Sequence, residues 1–328
     1  MHVATPPPII YGDSAGALAG RTRAAAQQIH TTADIGTRTL VGDAQTLAGH
    51  ARGGADDLIS FAIGEATAIG DALVVTNHAK GGDDQVRAGA GGSAAALGDA
   101  LTLSRHAKGG DDSVEVRSFF GAAAFGDAQL MTGHATGGDD YVAGLAAHSR
   151  ALVYGDAEIM EGHAVGGDDT VGGLDHFSAT LYGDAARLDG HTRGGDDLVV
   201  AQSGIAPGEV NYLYGDAAEL AGKSRGGDDI LVSGENSLDL MWGDAATISG
   251  SARTGRDIFE FGPNNGNDTI MDFEKGKDHI DLSGLVDEFD DLFGHIQTTS
   301  DGALIEFGAD SILVFGVSQL GADDFLFS

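Results

Sequence analysis

Aspartates recur along this chain at intervals that place like charge beside like charge. A Gly-Asp pair stands at Gly12-Asp13, Gly42-Asp43, Gly70-Asp71, Gly98-Asp99, Gly126-Asp127, Gly155-Asp156, Gly183-Asp184, Gly215-Asp216 and Gly243-Asp244, most of them 28 or 29 residues apart. From the second copy onward a Gly-Gly-Asp-Asp turn starts eleven residues later, as in Gly81-Gly82-Asp83-Asp84. The turn returns with Gly110-Asp111-Asp112, Gly138-Asp139-Asp140, Gly167-Asp168-Asp169, Gly195-Asp196-Asp197 and Gly227-Asp228-Asp229. In the earliest version, residues 53–57, the turn reads as carrying an extra Ala55, and the last has decayed to Thr254-Gly255-Arg256-Asp257. Stacked unit charges 4 Å apart repel by about 1 kcal/mol in water and about 4 kcal/mol at the effective dielectric of a protein surface. Carboxylates and glycine-turn carbonyls offer only oxygen, a donor set that suits Ca2+ better than Mg2+. The second glycine and both aspartates of each full turn are therefore candidate calcium ligands.

Two other columns compete for attention. The residue before Gly-Gly is basic in six of eight units, at Arg52, Lys80, Lys108, Arg193, Arg225 and Arg253. Pairing with the turn aspartates would give a salt-bridged, metal-free alternative, although one base per unit leaves an acidic surplus. Eight residues after each Gly-Asp glycine stand His50, His78, His106, His134, His163 and His191, then Lys223 and Ser251. Lysine in a histidine's place suits an outward polar position better than a zinc or nickel ligand.

A repeat of this length marks a stacked array in which each unit rests on its neighbours. Three apolar positions recur: two residues before Gly-Asp (Leu40 to Met241), five after its glycine (Leu47 to Ile248), and two past the second turn aspartate. The last set reads Ile59, Val86, Val114, Val142, Val171, Val199, Leu231 and Phe259. Glycine seven residues after most Gly-Asp glycines would break a helix, so the unit reads as three short strands around one coil. The expected fold is all-β, a right-handed parallel β-solenoid of about 28 residues per coil, with residues 1–39 as a degenerate repeat or cap, 40–254 as the array and 255–328 as a β-rich capping and secretion module. Phe125, Tyr154, Tyr182, Tyr214 and Trp242 precede Gly-Asp and are expected to stack as packing.

Composition agrees. Fifty acidic against eighteen basic residues give a net charge of −32, which argues against nucleic acid and anionic membranes as partners. With no cysteine, disulfides and thiolate metal sites are excluded, and no stretch reaches membrane-spanning length.

The turns resemble the calcium-binding nonapeptide GGxGxDxUx of RTX, or hemolysin-type, proteins. In the stretch from His134 through Val142, Gly138, Asp140 and Val142 match the third glycine, the aspartate and the aliphatic. The first two motif glycines are replaced, and the anchors are 11, 10 and 7 residues apart rather than nine, which favours a modified coil with fewer sites than aspartates. After the array, Gly255-Arg256-Asp257-Ile258-Phe259, Gly266-Asn267-Asp268-Thr269-Ile270, Asp272-Phe273, Gly276-Lys277-Asp278 and Ile280-Asp281-Leu282-Ser283-Gly284 look like the terminal RTX segment of serralysin-like, type I secreted proteins. The resemblance implies calcium ligands at Asp257, Asp268, Asp272 and Asp278. It also implies export by a type I secretion apparatus without an N-terminal signal, hence an extracellular protein. No HExxH or GxSxG motif is present, and a carboxylate pattern repeated eight times singles out no acid or base, so no enzymatic activity is expected. An interaction rod that binds a surface polysaccharide or ice, or associates with itself, is the alternative. A catalytic role would have to rest on one atypical coil, such as the insertion around Pro207.

Overall fold

A computed structural model of the chain describes residues 9–34, 38–174, 177–205 and 208–327, so Pro207 lies outside the described residues. Almost every element is a short strand, and position in the repeat sorts the strands into three sheets. Strands before Gly-Asp, such as Ala94–Leu97, Ala122–Phe125 and Ala151–Tyr154, form the first sheet. Those after it, such as Ala100–Arg105, Ala128–Gly133 and Ala157–Gly162, form the second. Those after Gly-Gly-Asp-Asp, such as Ser113–Ser118 and Tyr141–Ala146, form the third. Each array strand pairs in parallel with its counterpart one repeat away: Met131 lies opposite Met160, Val114 opposite Val142 and Val153 opposite Leu181. The chain is thus a parallel β-solenoid, three-sided over the array.

Alternation within each strand sends one residue in two to the interior. The expected apolar columns are buried: Leu40, Val75, Leu103, Met131, Val153 and Val171 are fully inaccessible. They form two separate apolar clusters, one between the first and third sheets and one behind the second sheet. A third buried cluster of Val41, Ile69, Leu97, Phe125 and Tyr154 continues as a ring stack, Phe125, Tyr154, Tyr182, Tyr214 and Trp242, with centroids 4.7–5.0 Å apart, which locks register between coils.

One sequence expectation is corrected. Asp57 lies opposite Gln85 and Leu58 opposite Val86, so the first turn carries no extra residue. Ala55 takes the place of Asp83, Asp56 that of Asp84, and the buried anchor is Leu58, whereas Ile59 is only half-buried.

Residues 9–34 supply one strand to each sheet: Ile9–Tyr11, Ser14–Leu18 and Gln28–Asp34. At the other end the first sheet passes through Asn267–Ile270 to Asp310–Phe315, which folds back antiparallel onto Gly302–Phe307 and then Ile296–Thr298. The third sheet ends with His279–Asp281 and Phe325–Leu326. Buried Phe259, Phe261, Phe273, Leu282, Leu292 and Phe325 close the core there, and the antiparallel meander covers a strand edge that would otherwise invite pairing. Among the described residues, no helix is long and apolar enough to cross a membrane.

The second sheet leaves through a left-handed residue in each coil, usually glycine (Gly49, Gly133, Gly162, Gly190, Gly222, Gly250) but Asn77 and Arg105 in two. Arg105, with φ 67°, adopts a conformation in which its Cβ is crowded. Arg105→Gly is expected to raise stability by about 1 kcal/mol, and Gly133→Val to lower it by at least as much. Denaturant titrations with calcium present check both.

Candidate metal centre: two buried carboxylate columns

The coil narrows where Gly-Asp and Gly-Gly-Asp-Asp meet, and hydrogen bonds from side chain to backbone cross that neck. The Gly-Asp carboxylate accepts the N–H of the second turn glycine eleven residues on: Gly82 to Asp71 at 3.0 Å, Gly138 to Asp127 at 3.1 Å, Gly167 to Asp156 at 3.0 Å, Gly195 to Asp184 at 2.8 Å. The second turn aspartate bonds along the rod instead. Its Oδ1 accepts the N–H of the equivalent aspartate one coil before, from Asp84 to Asp112, Asp112 to Asp140 and Asp140 to Asp169 at 2.6–2.7 Å. Asp43, Asp71, Asp99, Asp127, Asp156, Asp184, Asp216 and Asp244 make one column; Asp56, Asp84, Asp112, Asp140, Asp169, Asp197, Asp229 and Asp257 make the other. All are at most 4% exposed.

Most of these carboxylates are only half satisfied. Oδ2 of every member of the second column, from Asp56 to Asp257, receives no hydrogen bond, nor does Oδ2 of Asp127, Asp156, Asp184 and Asp216. Glycines next to them carry no Cβ for a specific reason. A Cβ on Gly126 would stand 1.8 Å from the Gly155 carbonyl oxygen and 2.1 Å from Asp140 Oδ2, and one on Gly98 would stand 1.8 Å from Gly126 O and 2.0 Å from Asp112 Oδ2. Beside Gly166, Oδ2 of Asp156 and Oδ1 of Asp184 converge in the same way, each 2.3 Å from that point. Oxygen therefore faces oxygen at each step, and a buried carboxylate facing other oxygens is strongly disfavoured.

The titration behaviour follows. Burial pushes these acids up, and carboxylate neighbours add to it at Asp71, Asp84 and Asp140, which lie well above the ordinary value of 3.8. Burial and the Asp43 charge raise Asp56 to about 7, burial raises Asp43 and Asp127 to about 6, and burial with Asp244 raises Asp257 to about 10. Two things relieve such a column: a proton, which lets Oδ2 donate to the facing carbonyl, or a cation. The residues fit a hard divalent cation, being oxygen-only, buried and orphaned around points that only glycine leaves open. Among the described residues, no three His, Asp or Glu side chains gather about one point, so carboxylates would hold the ion in pairs, with glycine carbonyls completing its shell. The carbonyls beside the orphaned oxygens belong to Gly-Asp glycines such as Gly98, Gly126 and Gly155, not to Gly82, Gly110, Gly138, Gly167, Gly195 and Gly227. Those latter glycines serve close stacking: a Cβ on Gly110 would meet the Gly82 carbonyl oxygen at 1.4 Å.

The sequence-predicted ligands thus divide. Asp84, Asp112, Asp140, Asp169, Asp197 and Asp229 come together in the neck. Asp83, Asp111, Asp139, Asp168, Asp196 and Asp228 point to solvent, where each accepts the backbone N–H of the next coil, as Asp168 does from Asp196 at 3.0 Å. The bases also point outward, and Lys80 meets exposed Asp83 at 3.6 Å. Asp257 and Asp278 continue the second column, with the Asp257 N–H donating to Asp278 Oδ1 at 3.1 Å. Asp272 terminates the Gly-Asp stack by accepting the amides of Gly243, Asp244 and Ala245 at 2.8–3.2 Å. Asp268 lies elsewhere, bonded by Ser233, Asn265 and the Asp239 N–H. The Gly-Asp aspartates are the residues that sequence reasoning left out of the ligand set.

Residues 161–318 match the family model described as the peptidase M10 serralysin C terminal. This stretch is a serralysin-type C-terminal RTX segment. It covers just under half of the chain, taking in the last array coils together with the closing segment. No curated protein matches the chain. The serralysin-type stretch holds Asp169, Asp197, Asp229, Asp257 and Asp278 of the second column, and the same column continues unbroken into the coils before it.

Because the folded acids titrate above their unfolded values, protonation favours the cation-free fold. That stability is fully present below the ordinary carboxylate value and is lost as pH rises through about 6 to 7 at Asp43, Asp127 and Asp56. In chelator the melting temperature is therefore expected to fall by several degrees between about pH 5 and about pH 8, and saturating calcium should flatten or reverse the trend. Asp140→Asn places an amide against the Gly155 carbonyl. It should stabilise the chelated protein at about pH 8 by about 1 kcal/mol or more while reducing the gain from calcium. Parallel melts with and without calcium read both effects.

Proposed function

We propose that this chain is a secreted, non-enzymatic calcium-binding repeat protein whose folding is coupled to the ion and which serves a structural or surface-associated role. The observation that supports it is the pair of buried aspartate columns with orphaned Oδ2 atoms, running into a segment of the serralysin C-terminal type. Inside a cell, where free calcium is scarce, mutual repulsion would keep the array loose and suited to threading through a type I secretion apparatus. Outside, calcium would neutralise the columns and the coils would close. The same carboxylate arrangement in every coil favours a repeated binding role over a single catalytic pair.

The metal-free, salt-bridged alternative draws less support, because the repeat bases face outward and the surplus charge is interior. Isothermal calorimetry paired with circular dichroism tests the proposal. Saturable calcium binding is expected, with a gain in stability of about 2.7 kcal/mol for each site at a hundred times its Kd. Heatless titration with identical spectra in calcium and in chelator at about pH 8 would overturn it. Export is tested separately: with a type I apparatus supplied, removal of residues 255–328 should retain the protein inside the producing cell.

A further inference from the structure

An outer corner of the coil, next to the outward turn aspartates, carries the reverse charge. In four coils a histidine and a base are separated by one buried residue, as Ala79 separates His78 from Lys80, so both project outward from the same turn. Bases stack in strict register, Arg23 on Arg52, Arg52 on Lys80 and Lys80 on Lys108, then Arg193 on Arg225 and Arg225 on Arg253. Beside them the imidazoles of His50, His78, His106, His134, His163 and His191 stack with centroids 4.7–5.3 Å apart. Two grooves run along this corner. One, of about 800 Å³, is walled by Arg21, Arg23, Arg52, Lys80 and Lys108 with three of the histidines. The other, of about 550 Å³, is walled by Arg193, Lys223, Arg225 and Arg253 with His191. Neither has a carboxylate in its wall, although the chain carries fifty acidic residues. Nine of its eighteen lysines and arginines are spent here. Like charges directly opposite on neighbouring strands repel, and the contact of Lys80 with Asp83 at 3.6 Å is a solvent-exposed pair that offsets little of that repulsion.

The geometry points to these two grooves as a binding surface for a linear acidic polysaccharide, one with a carboxylate on each sugar ring, lying along the rod axis. Cationic side chains repeat once per coil, at the ~4.8 Å strand spacing, which is close to the advance of one pyranose ring. Imidazole N–H groups and the hydroxyls of Thr22 and Ser251 in the walls supply donors and acceptors for sugar hydroxyls. Nucleic acid fits less well, because its charge every ~1.7 Å is far denser than one base per coil at ~4.8 Å and meets proportionally more repulsion from the exposed column of Asp83, Asp111 and Asp139 beside the grooves. The two grooves are separated by coils with Thr136 and Val165 in the base position, so one polymer long enough to span both would gain from bivalent attachment. The surface is independent of the calcium sites: its side chains are outside, theirs are inside.

Binding of polygalacturonate oligomers to the whole chain, in excess calcium and with fluorescence anisotropy as readout, tests the assignment. The wild type should bind them, weaken steeply as salt rises, and ignore neutral dextran of equal length. Arg52→Gln/Lys80→Gln/Lys108→Gln should lose at least tenfold in affinity with an unchanged circular dichroism spectrum and melting temperature. If that variant does not fold, Lys80→Gln alone should still lose two- to threefold. Unaltered binding in a folded triple variant, equal binding of dextran, or tighter binding of single-stranded DNA than of the uronate would each overturn it.

Discussion

Two columns of carboxylates run through the neck of this solenoid, and stacking forces each to repeat at strand spacing. Water cannot screen them there, so the repulsion that costs about 1 kcal/mol per pair in solvent grows several-fold. One oxygen of each group is tied to backbone amides, which fixes the coil's shape: the Gly-Asp carboxylate braces the neck across eleven residues, and the second turn aspartate welds coil to coil. The other oxygen faces carbonyls and carboxylates. The same side chains that define the fold therefore leave it dependent on a proton or a cation. Glycine is required at the facing positions because a Cβ there would collide with the next coil's carbonyl oxygen and a second-column carboxylate, as at Gly98 and Gly126.

Charge is sorted by side. Many acids lie in the interior or in the outward Asp83 column, while half of the bases collect on a single outer corner. A net charge of −32 thus describes the molecule poorly as a surface, since two cationic grooves coexist with an anionic core. The aromatic stack from Phe125 to Trp242 and the two apolar clusters hold register without regard to either.

Much of this was legible in the sequence. Period, strand positions and buried anchors followed from glycine spacing and alternation, because a coil admits few ways to bury three apolar residues per turn. Which turn aspartate faces inward was legible too, though in a less obvious place. The irregular first turn keeps Asp56 and puts Ala55 where Asp83 stands; the decayed last turn keeps Asp257 and puts Arg256 there. Both degenerate copies retain the inner residue and relinquish the outer one. Treating Ala55 as an insertion concealed that signal and displaced the anchor from Leu58 to Ile59. The role of the Gly-Asp carboxylates could not be derived from spacing, since a side chain reaching an amide eleven residues ahead depends on how the coil narrows. Asp268, a motif aspartate by resemblance, is satisfied by Ser233 and Asn265, which motif matching does not weigh.

On the proposed reading, cations neutralise the inner columns rather than the outer turns. The most direct measurement is a crystal structure of the calcium-saturated protein at about pH 8, with anomalous difference maps at a wavelength where calcium scatters. Peaks are expected in the neck, beside glycines such as Gly98, Gly126 and Gly166, in contact with second-column or Gly-Asp carboxylates. Peaks confined to Asp83, Asp111 and their outward counterparts, or an intact rod with no peak in the neck at that pH, would contradict it.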